Sequence, residues 1–447
     1  MIGEKEARKL CEQVLARCQG TEAEVILTIT DEALTRFANN IIHQNVAERD
    51  AEFSLRFHIG KRMGSASTNR LDPAGLDDFV DRARANASAS PEDPGYPGLP
   101  DPTSYTSVPA FDQITAGYTP EARAKAVGVL CRLANEKELN ASGAFSTGYT
   151  ELAIANTHGL FAYHAATKAD FQTVVMSNDS SGRAHGSAWK VDDLCTEALG
   201  NQAIKTAERG HNPRRIDPGE YCVVLEHYVT EDILTMLNYY GMGAQAVLEG
   251  RSWMNDRIGQ RLLDPRISIW DDGLDSQGMP LPFDYEGVPK QRVDIVKNGV
   301  PLAPVYDRYT GVKMGVPSTG HALQPQMRGF GPVATRLFMA PGASSLPEMI
   351  RTTERGLYIN RFWYTRLVHP RDCVITGMTR DGVFLIEDGE LTYPVKNLRF
   401  TQSYVDALAN VEAVGHETHL LVGEYGGISV RVPALKLKGF NFTGSTV

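Results

Sequence analysis

Apolar residues recur every three or four positions over residues 4–18, where Ala7, Leu10, Cys11, Val14, Leu15 and Cys18 share one face and predict a helix. Both cysteines fall on that face and read as core. A strand is expected at residues 23–30. Then Phe53, Leu55, Phe57 and Ile59 alternate with Glu52, Ser54, Arg56 and His58, a period of two that ends at Gly60-Lys61. A short strand near residues 62–68 and a helix marked by Leu76, Phe79, Val80 and Ala83 complete a layer of sheet and helices.

The pattern then stops. Pro91, Pro94, Pro97, Pro100, Pro102 and Pro109, with Gly95 and Gly98 among them, resist helix and sheet alike. A second unit opens at Thr119-Pro120-Glu121, a cap followed by proline at the first helical position, and leads into a helix to about residue 137. Hairpin-like strands with a turn at Asn156-Thr157-His158-Gly159 follow, and a helix over residues 192–208 closes the unit. Asn212-Pro213 and Asp217-Pro218-Gly219 punctuate the next boundary. Beyond it, short β-rich runs dominate at residues 221–225, 373–376, 383–386, 419–422 and 428–432. The expected class is α+β: an N-terminal α/β sheet-and-helix region, then a β-rich barrel or sandwich-like C-terminal domain. The expected division is 1–90, a Pro-rich linker at 91–118, a middle α/β subdomain at 119–210, and 216–447.

A chain of 447 residues is too long for one simple core, which supports that division. A formal charge of −9 argues against nucleic-acid binding, which draws its affinity from clustered Lys and Arg. The densest basic run, His211-Asn212-Pro213-Arg214-Arg215, is too short for that role and reads as a solvated linker. Cys11, Cys18, Cys131, Cys195, Cys222 and Cys373 show no paired spacing, which favours free thiols. The opening Met1-Ile2-Gly3-Glu4-Lys5-Glu6 carries no apolar export region, and no run approaches the ~20 apolar residues of a membrane span. The expectation is a cytoplasmic protein with neither membrane nor nucleic acid as partner.

One amphipathic helix is expected over residues 230–251, with Thr230 as N-cap and Ile233, Leu234, Leu237, Ala244 and Leu248 on one face. Gly241 and Gly243 lower helix propensity, so a kink or a close backbone contact is expected there. With Leu34-Thr35-Arg36-Phe37-Ala38-Asn39-Asn40-Ile41-Ile42-His43-Gln44, Gly250-Arg251-Ser252, Ser318-Thr319-Gly320-His321, Ala340-Pro341-Gly342, Arg355-Gly356-Leu357-Tyr358-Ile359 and the strand Asp381 to Glu390, in that order, the chain resembles the TldD/PmbA (TldD/TldE) family of metallopeptidase-related proteins. In its catalytic branch an HExxxH motif sits on the matching helix and a downstream cysteine completes a zinc site; the Glu deprotonates the bound water. Here the corresponding stretch, Asn238, Tyr239 and Tyr240 to Gly243, carries no ligand. There is no His between His227 and His321 and no Cys between Cys222 and Cys373. The resemblance therefore implies the TldE/PmbA-like branch, with no catalytic or metal-binding residue in this chain and zinc in a TldD-like partner subunit. Family names have suggested modulation of DNA gyrase; the charge gives that no support.

Other candidates carry two readings each. Arg36, Asn39 and Asn40 could hold an extended peptide by strand addition, although turn chemistry alone accounts for Asn-Asn. Tyr306, Ser318, Thr319 and His321 could line a peptide channel, or be loop groups satisfied locally. His369-Pro370-Arg371-Asp372-Cys373 holds the residue types of a thiol nucleophile, but such triads are assembled in space. In His416-Glu417-Thr418-His419 the spacing is wrong for HExxH, and three residues apart on a strand are opposite faces. Trp253, Trp270 and Trp363 read as core or interface. The resemblance implies a heterodimeric zinc metallopeptidase whose two subunits build a cleft for unfolded peptides. The competing expectation is a stand-alone homodimeric peptide-binding protein; an independent hydrolase using Cys373 is the third.

Overall fold

The structure, a computed structural model, describes residues 1–423 and 427–445. Helix α1 (Glu4–Leu15) buries Ala7, Cys11 and Val14 as its periodicity requires. It lies on a six-stranded antiparallel sheet built from β1 (Ala23–Ala38), β2 (Ile41–Ile59), β3 (Arg62–Thr68) and, after helices α2 (Pro73–Ala89), α3 (Gln113–Ala116) and α4 (Pro120–Glu136), from β4 (Asn140–Asn156), β5 (Phe161–Met176) and β6 (Ser181–Ala188). The order is β3-β2-β1-β4-β5-β6. β1 pairs β4 along most of its length, so the segments before and after the Pro-rich stretch are halves of one sheet. Helix α5 (Thr196–Arg209) covers the second half. α4 starts as its sequence dictates: the Thr119 hydroxyl accepts from the Ala122 amide at 3.2 Å and Pro120 opens the helix.

β1 runs eight residues past the expected strand, to Ala38. Its first half is legible because both faces are covered: Val25, Leu27 and Ile29 pack under α1 and α2, and Ile26 faces the other way onto Leu281 and Phe283. In the second half Thr35 and Phe37 are buried on one face while Glu32 and Arg36 are exposed on the other, and the small and polar residues among them blur the alternation.

The C-terminal unit holds β7 (Gly219–Leu225), α6 (His227–Leu237), α7 (Ala244–Leu248), β8 (Ile269–Asp271), β9 (Val293–Lys297), β10 (Val300–Pro301), α8 (Arg308–Met314), β11 (Arg336–Met339), α9 (Leu346–Arg351), β12 (Arg355–His369), β13 (Val374–Glu387), β14 (Glu390–Pro394), β15 (Leu398–Ser403), α10 (Tyr404–Ala409), β16 (Val411–Val422) and β17 (Ser429–Ser445). Five of these close a barrel in the order β7-β12-β13-β15-β17 and back to β7, with only β7 and β12 parallel. The expected α+β class with a β-rich C-terminal domain is thus observed, and the barrel alternative is the one adopted. α6 packs on β12 and β17, burying Val229, Ile233, Leu234 and Leu237 in the largest core of the molecule.

Two stretches read as linkers are fastened down. In the Pro-rich stretch, Leu99 and Ala110 are buried, and the Tyr105 hydroxyl donates to the Gly287 carbonyl at 2.7 Å. The basic run after α5 has exposed side chains, as a solvated segment would, but its backbone is held: the Arg214 amide donates to the Pro394 carbonyl and its own carbonyl accepts from the Lys396 amide, both at 2.9 Å. Backbone pairing, which composition does not reveal, fixes both. No described helix is long and apolar enough to cross a membrane.

Candidate functional site

α6 begins three residues before the expected cap, with Glu226 at its N-cap, because β7 runs straight into it. Thr230 lies inside the helix, and its buried hydroxyl has no partner. After Leu237 the expected single helix breaks. Asn238–Met242 form one π turn, Gly243 is extended (φ −92, ψ 142), and α7 resumes at Ala244. The break has identifiable causes. A Cβ on Gly241 would stand 2.1 Å from the Trp253 ring, and one on Gly243 would stand 2.0 Å from the Pro332 carbonyl oxygen.

The backbone groups freed by the break are all taken up, as a buried helix end requires. Trp253 Nε1 donates to the Leu237 carbonyl at 2.8 Å and Ser252 Oγ to the Gly241 carbonyl at 2.6 Å. Asn238 Nδ2 donates to the Ala334 carbonyl at 2.8 Å, and its Oδ1 accepts from the Ala334 amide at 3.2 Å. Gly250-Arg251-Ser252 therefore closes the turn: Gly250 sits at φ 69 and Ser252 supplies the hydroxyl.

Burial divides this segment into two stripes. Ile233, Leu234, Leu237, Asn238, Gly241 and Met242 are buried; Glu231, Asp232, Thr235, Met236, Tyr239 and Tyr240 are half-buried. The first four of the half-buried residues form one wall of a cleft of about 210 Å³. The opposite wall is Arg361 to Arg366 of β12, and the ends are Arg183 and His185 of β6 and Leu421 to Gly423. Asp232 accepts from Thr365 Oγ1 and Tyr404 OH, each at 2.7 Å, and burial pushes its carboxyl up to about 6. At the cleft end, Ser187 Oγ and His185 Nε2 both bind Asp170 Oδ2, at 2.6 and 3.0 Å. The hydroxyl donates to the carboxylate and not to the imidazole, so the trio is no activated serine.

The structure gathers four of the sequence candidates and leaves the others far away. The Tyr306 carbonyl accepts from Ser318 Oγ and Thr319 Oγ1, both at 3.1 Å, and Thr319 Oγ1 meets His321 Nδ1 at 2.9 Å. His321 is buried: its Nε2 contacts Asp271 Oδ1 at 2.8 Å, and the same oxygen accepts from Lys290 Nζ at 3.2 Å. Burial works against the charge of Asp271, but Lys290 and His321 outweigh it and hold the carboxyl well below its usual range. Arg36 is exposed beside Gln44, and Asn39 and Asn40 form the β1–β2 hairpin turn at φ 50 and 61. Asn40 bridges the Leu139 carbonyl and the Ala141 amide, each at 2.7 Å. Residues 24 to 36 of β1 separate this turn from the contact with the C-terminal unit, roughly 40 Å at about 3.3 Å per residue.

Cys373 is buried, burial and then Asp232 push its thiol up, and His369 pairs with Asp372 at 3.2 Å; no thiolate is prepared. His416 turns to the Ser344 carbonyl while His419 stacks on His227 at 4.0 Å, so the two diverge. All six cysteines are unpaired. Trp253 is core, as expected, but Trp363 is not: it is 39% exposed on the cleft rim. The residues that reasoning from sequence missed are those of the rim, Arg183, Trp363, Tyr364 and Arg366. Their common signal, arginines beside aromatics, is split between two distant strands.

Among the described residues no group of three His, Cys, Asp or Glu side chains converges to hold a metal. The cleft face of α6 offers carboxylates, a hydroxyl and a thioether, and these do not fit the zinc site of the resembling family.

Three family models match the chain: PmbA/TldA metallopeptidase domain 1 at residues 23–87, the central domain at 118–210 and the C-terminal domain at 218–444. The chain is 23% identical to Metalloprotease PmbA of Escherichia coli O157:H7, over 98% of each chain. It is 21% identical to the Metalloprotease TldD homolog of Haemophilus influenzae, over 91% of this chain and 89% of that one. The crystal structure of TldE from Thermococcus kodakarensis superposes with a TM-score of 0.87 at 18% identity, covering 98% of this chain and 99% of that one; this likeness shows the fold. With three consecutive family domains in order, the chain belongs to the TldD/PmbA family of metallopeptidase-related proteins.

Proposed function

We propose that this chain is a TldE/PmbA-like, non-catalytic subunit of a heterodimeric zinc metallopeptidase of the cytoplasm. It helps to form the cleft that takes up unfolded peptides, and a TldD-like partner supplies the zinc site. The observation that carries the reading is the cleft face of α6, open and polar but without imidazole or thiolate.

The π turn supports a register for the lost motif. In HExxxH the two histidines are five residues apart, which in an α-helix turns them about 140° from each other. A π turn, bonded from i to i+5, brings such residues back over one another. Thr235, Met236 and Tyr240 have that spacing, and all three belong to the half-buried stripe. A register on Asn238, Tyr239 and Gly243 instead puts its first residue in the Ala334 clamp and its last in the extended link. In this reading the chain has kept the frame of the site and lost its ligands.

Zinc per chain, measured by inductively coupled plasma mass spectrometry on untagged protein, is expected to be near zero. Cleavage of an unstructured peptide is expected only after mixing with a TldD-like subunit. One tightly held zinc together with chelator-sensitive cleavage by the isolated chain overturns the reading. The triple change Thr235→His, Met236→Glu, Tyr240→His is expected to gain zinc where Asn238→His, Tyr239→Glu, Gly243→His does not; the reverse result refutes the register.

A further inference from the structure

The rim of the α6 cleft is charge-imbalanced. Asp381 does not line the cleft but holds its Arg361: Oδ2 takes Arg361 Nε at 2.5 Å, Oδ1 takes Ser181 Oγ at 2.6 Å, and Arg380 Nε lies 3.8 Å away. Arg183 stands close enough to Arg361 for the two to repel. Arg366 bonds only a neighbouring carbonyl, that of Thr365, at 2.8 Å. Neither Arg183 nor Arg366 has a carboxylate partner among the described residues, in a protein of net charge −9. The acids of the cleft are on its far wall, where Asp232 is bonded to Thr365 and Tyr404 and Glu231 to Thr235 Oγ1.

The same rim displays aromatic surface. Trp363 and Tyr364 are 39% and 66% exposed. The β12–β13 ladder slips between Trp363 and Arg366, and Tyr364 sits at φ 57, a conformation that costs a bulky residue and tends to mark functional sites. Arginines cover the rings: Arg361 and Arg380 lie 4.8 and 5.1 Å from the Trp363 ring, and Arg366 lies 4.4 Å from that of Tyr364. A strained bulge that holds two aromatic side chains out of the core, beside an Arg366 with no carboxylate partner among the described residues, is costly for a surface with no ligand.

We propose that this rim binds a carboxylate of the peptide in the cleft. Arg183 and Arg366 grip the carboxylate, and Trp363 and Tyr364 stack on the residue that bears it. A planar guanidinium matches a carboxylate by two parallel hydrogen bonds, and 210 Å³ has room for about one residue. The assignment rests on the peptide-binding reading above and adds its substrate class: peptides with a free C-terminal carboxylate or an acidic side chain at the bound position.

Fluorescence anisotropy with the full chain separates the possibilities. The probes are labelled unstructured peptides of one sequence: with a C-terminal Glu and free terminus, with that Glu amidated, and with Gln in its place, free or amidated. A single-stranded oligonucleotide is the fifth probe. The free acidic peptide is expected to bind about tenfold more tightly than the amidated Gln peptide. The other two report whether the terminus or the side chain is held. Arg183→Gln and Arg366→Gln are each expected to erase that preference, and Trp363→Ala to weaken all peptides alike, with unchanged circular dichroism. Peptides bound equally well, with or without the arginines, overturn the carboxylate assignment and leave the peptide reading standing. Absence of binding by every peptide overturns both. Tighter binding of the oligonucleotide, lost in the same variants, replaces the peptide by a nucleic acid.

Discussion

The C-terminal unit has two polar centres that differ in almost every physical respect. Around Asp271 a lysine ammonium, a buried imidazole and a backbone amide converge on one carboxylate: Lys290 at 3.2 Å, His321 at 2.8 Å and the Arg336 amide at 2.6 Å. At the cleft rim two guanidiniums, Arg361 and Arg380, share Asp381, a tyrosine is held at positive φ, and two aromatic rings face water. The first centre is satisfied by its own chain and serves architecture, tying β8 to the loops before β9 and β11. The second is satisfied only if something else arrives. His321, the most suggestive residue in the sequence, belongs to the closed centre, and the open one was nearly silent.

The contrast can be broken at its strongest point. Asp271→Asn leaves Lys290 without a counter-charge in the core and disturbs the hydrogen bond of His321, and is expected to cost about 3–5 kcal/mol. Urea unfolding followed by tryptophan fluorescence measures it; a loss under ~1 kcal/mol would mean that the centre is not what holds these strands. Next is Gly241→Ala, whose methyl meets the Trp253 ring, with an expected loss of about 1–3 kcal/mol by the same measurement.

The two carboxyls also oppose each other in pH. Asp271 is depressed, so its contribution is present above its unfolded pKa of about 3.9 and is lost as pH falls below that toward its folded value. Asp232 is raised to about 6, so its contribution is present below about pH 3.9 and is lost as pH rises through 6. Asp232→Asn is therefore expected to lose the destabilisation between pH 4 and 7. A thermal-midpoint profile parallel to wild type across that window would contradict the assignment. The smallest effect is expected on the rim itself: Trp363→Ala should change stability by no more than about 0.5 kcal/mol, since the ring is not core. A larger loss would move Trp363 back among the structural residues.

How far the sequence reaches follows the same division. Gly241 and Gly243 announced a break through their low helix propensity, but Trp253 and Pro332, which make glycine necessary, come from twelve and eighty-nine residues away. Thr119-Pro120 marked its helix correctly because the capping contact is local. Thr230 misled because the strand before it, and not a cap, sets where α6 begins. Asn39-Asn40 declared a turn and occupies one, whereas the full length of β1 depended on pairing with β4. Trp363 read as core or interface because nothing local to it reveals a bulge that exists only against β13.

The π turn at Asn238–Met242 makes this chain sensitive to length as well as to composition. It holds one residue more than the helix geometry needs, and a single deletion within it would change the angle at which α6 meets the extended link at Gly243. Everything downstream would then rotate by about 100°. The Ala334 clamp, the Ser252 closure and the link from Gly243 to Val305 would all lose their partners together. A substitution in this segment costs what its own side chain meets, as at Gly241, but a one-residue deletion there breaks several contacts at once and should be tolerated less well.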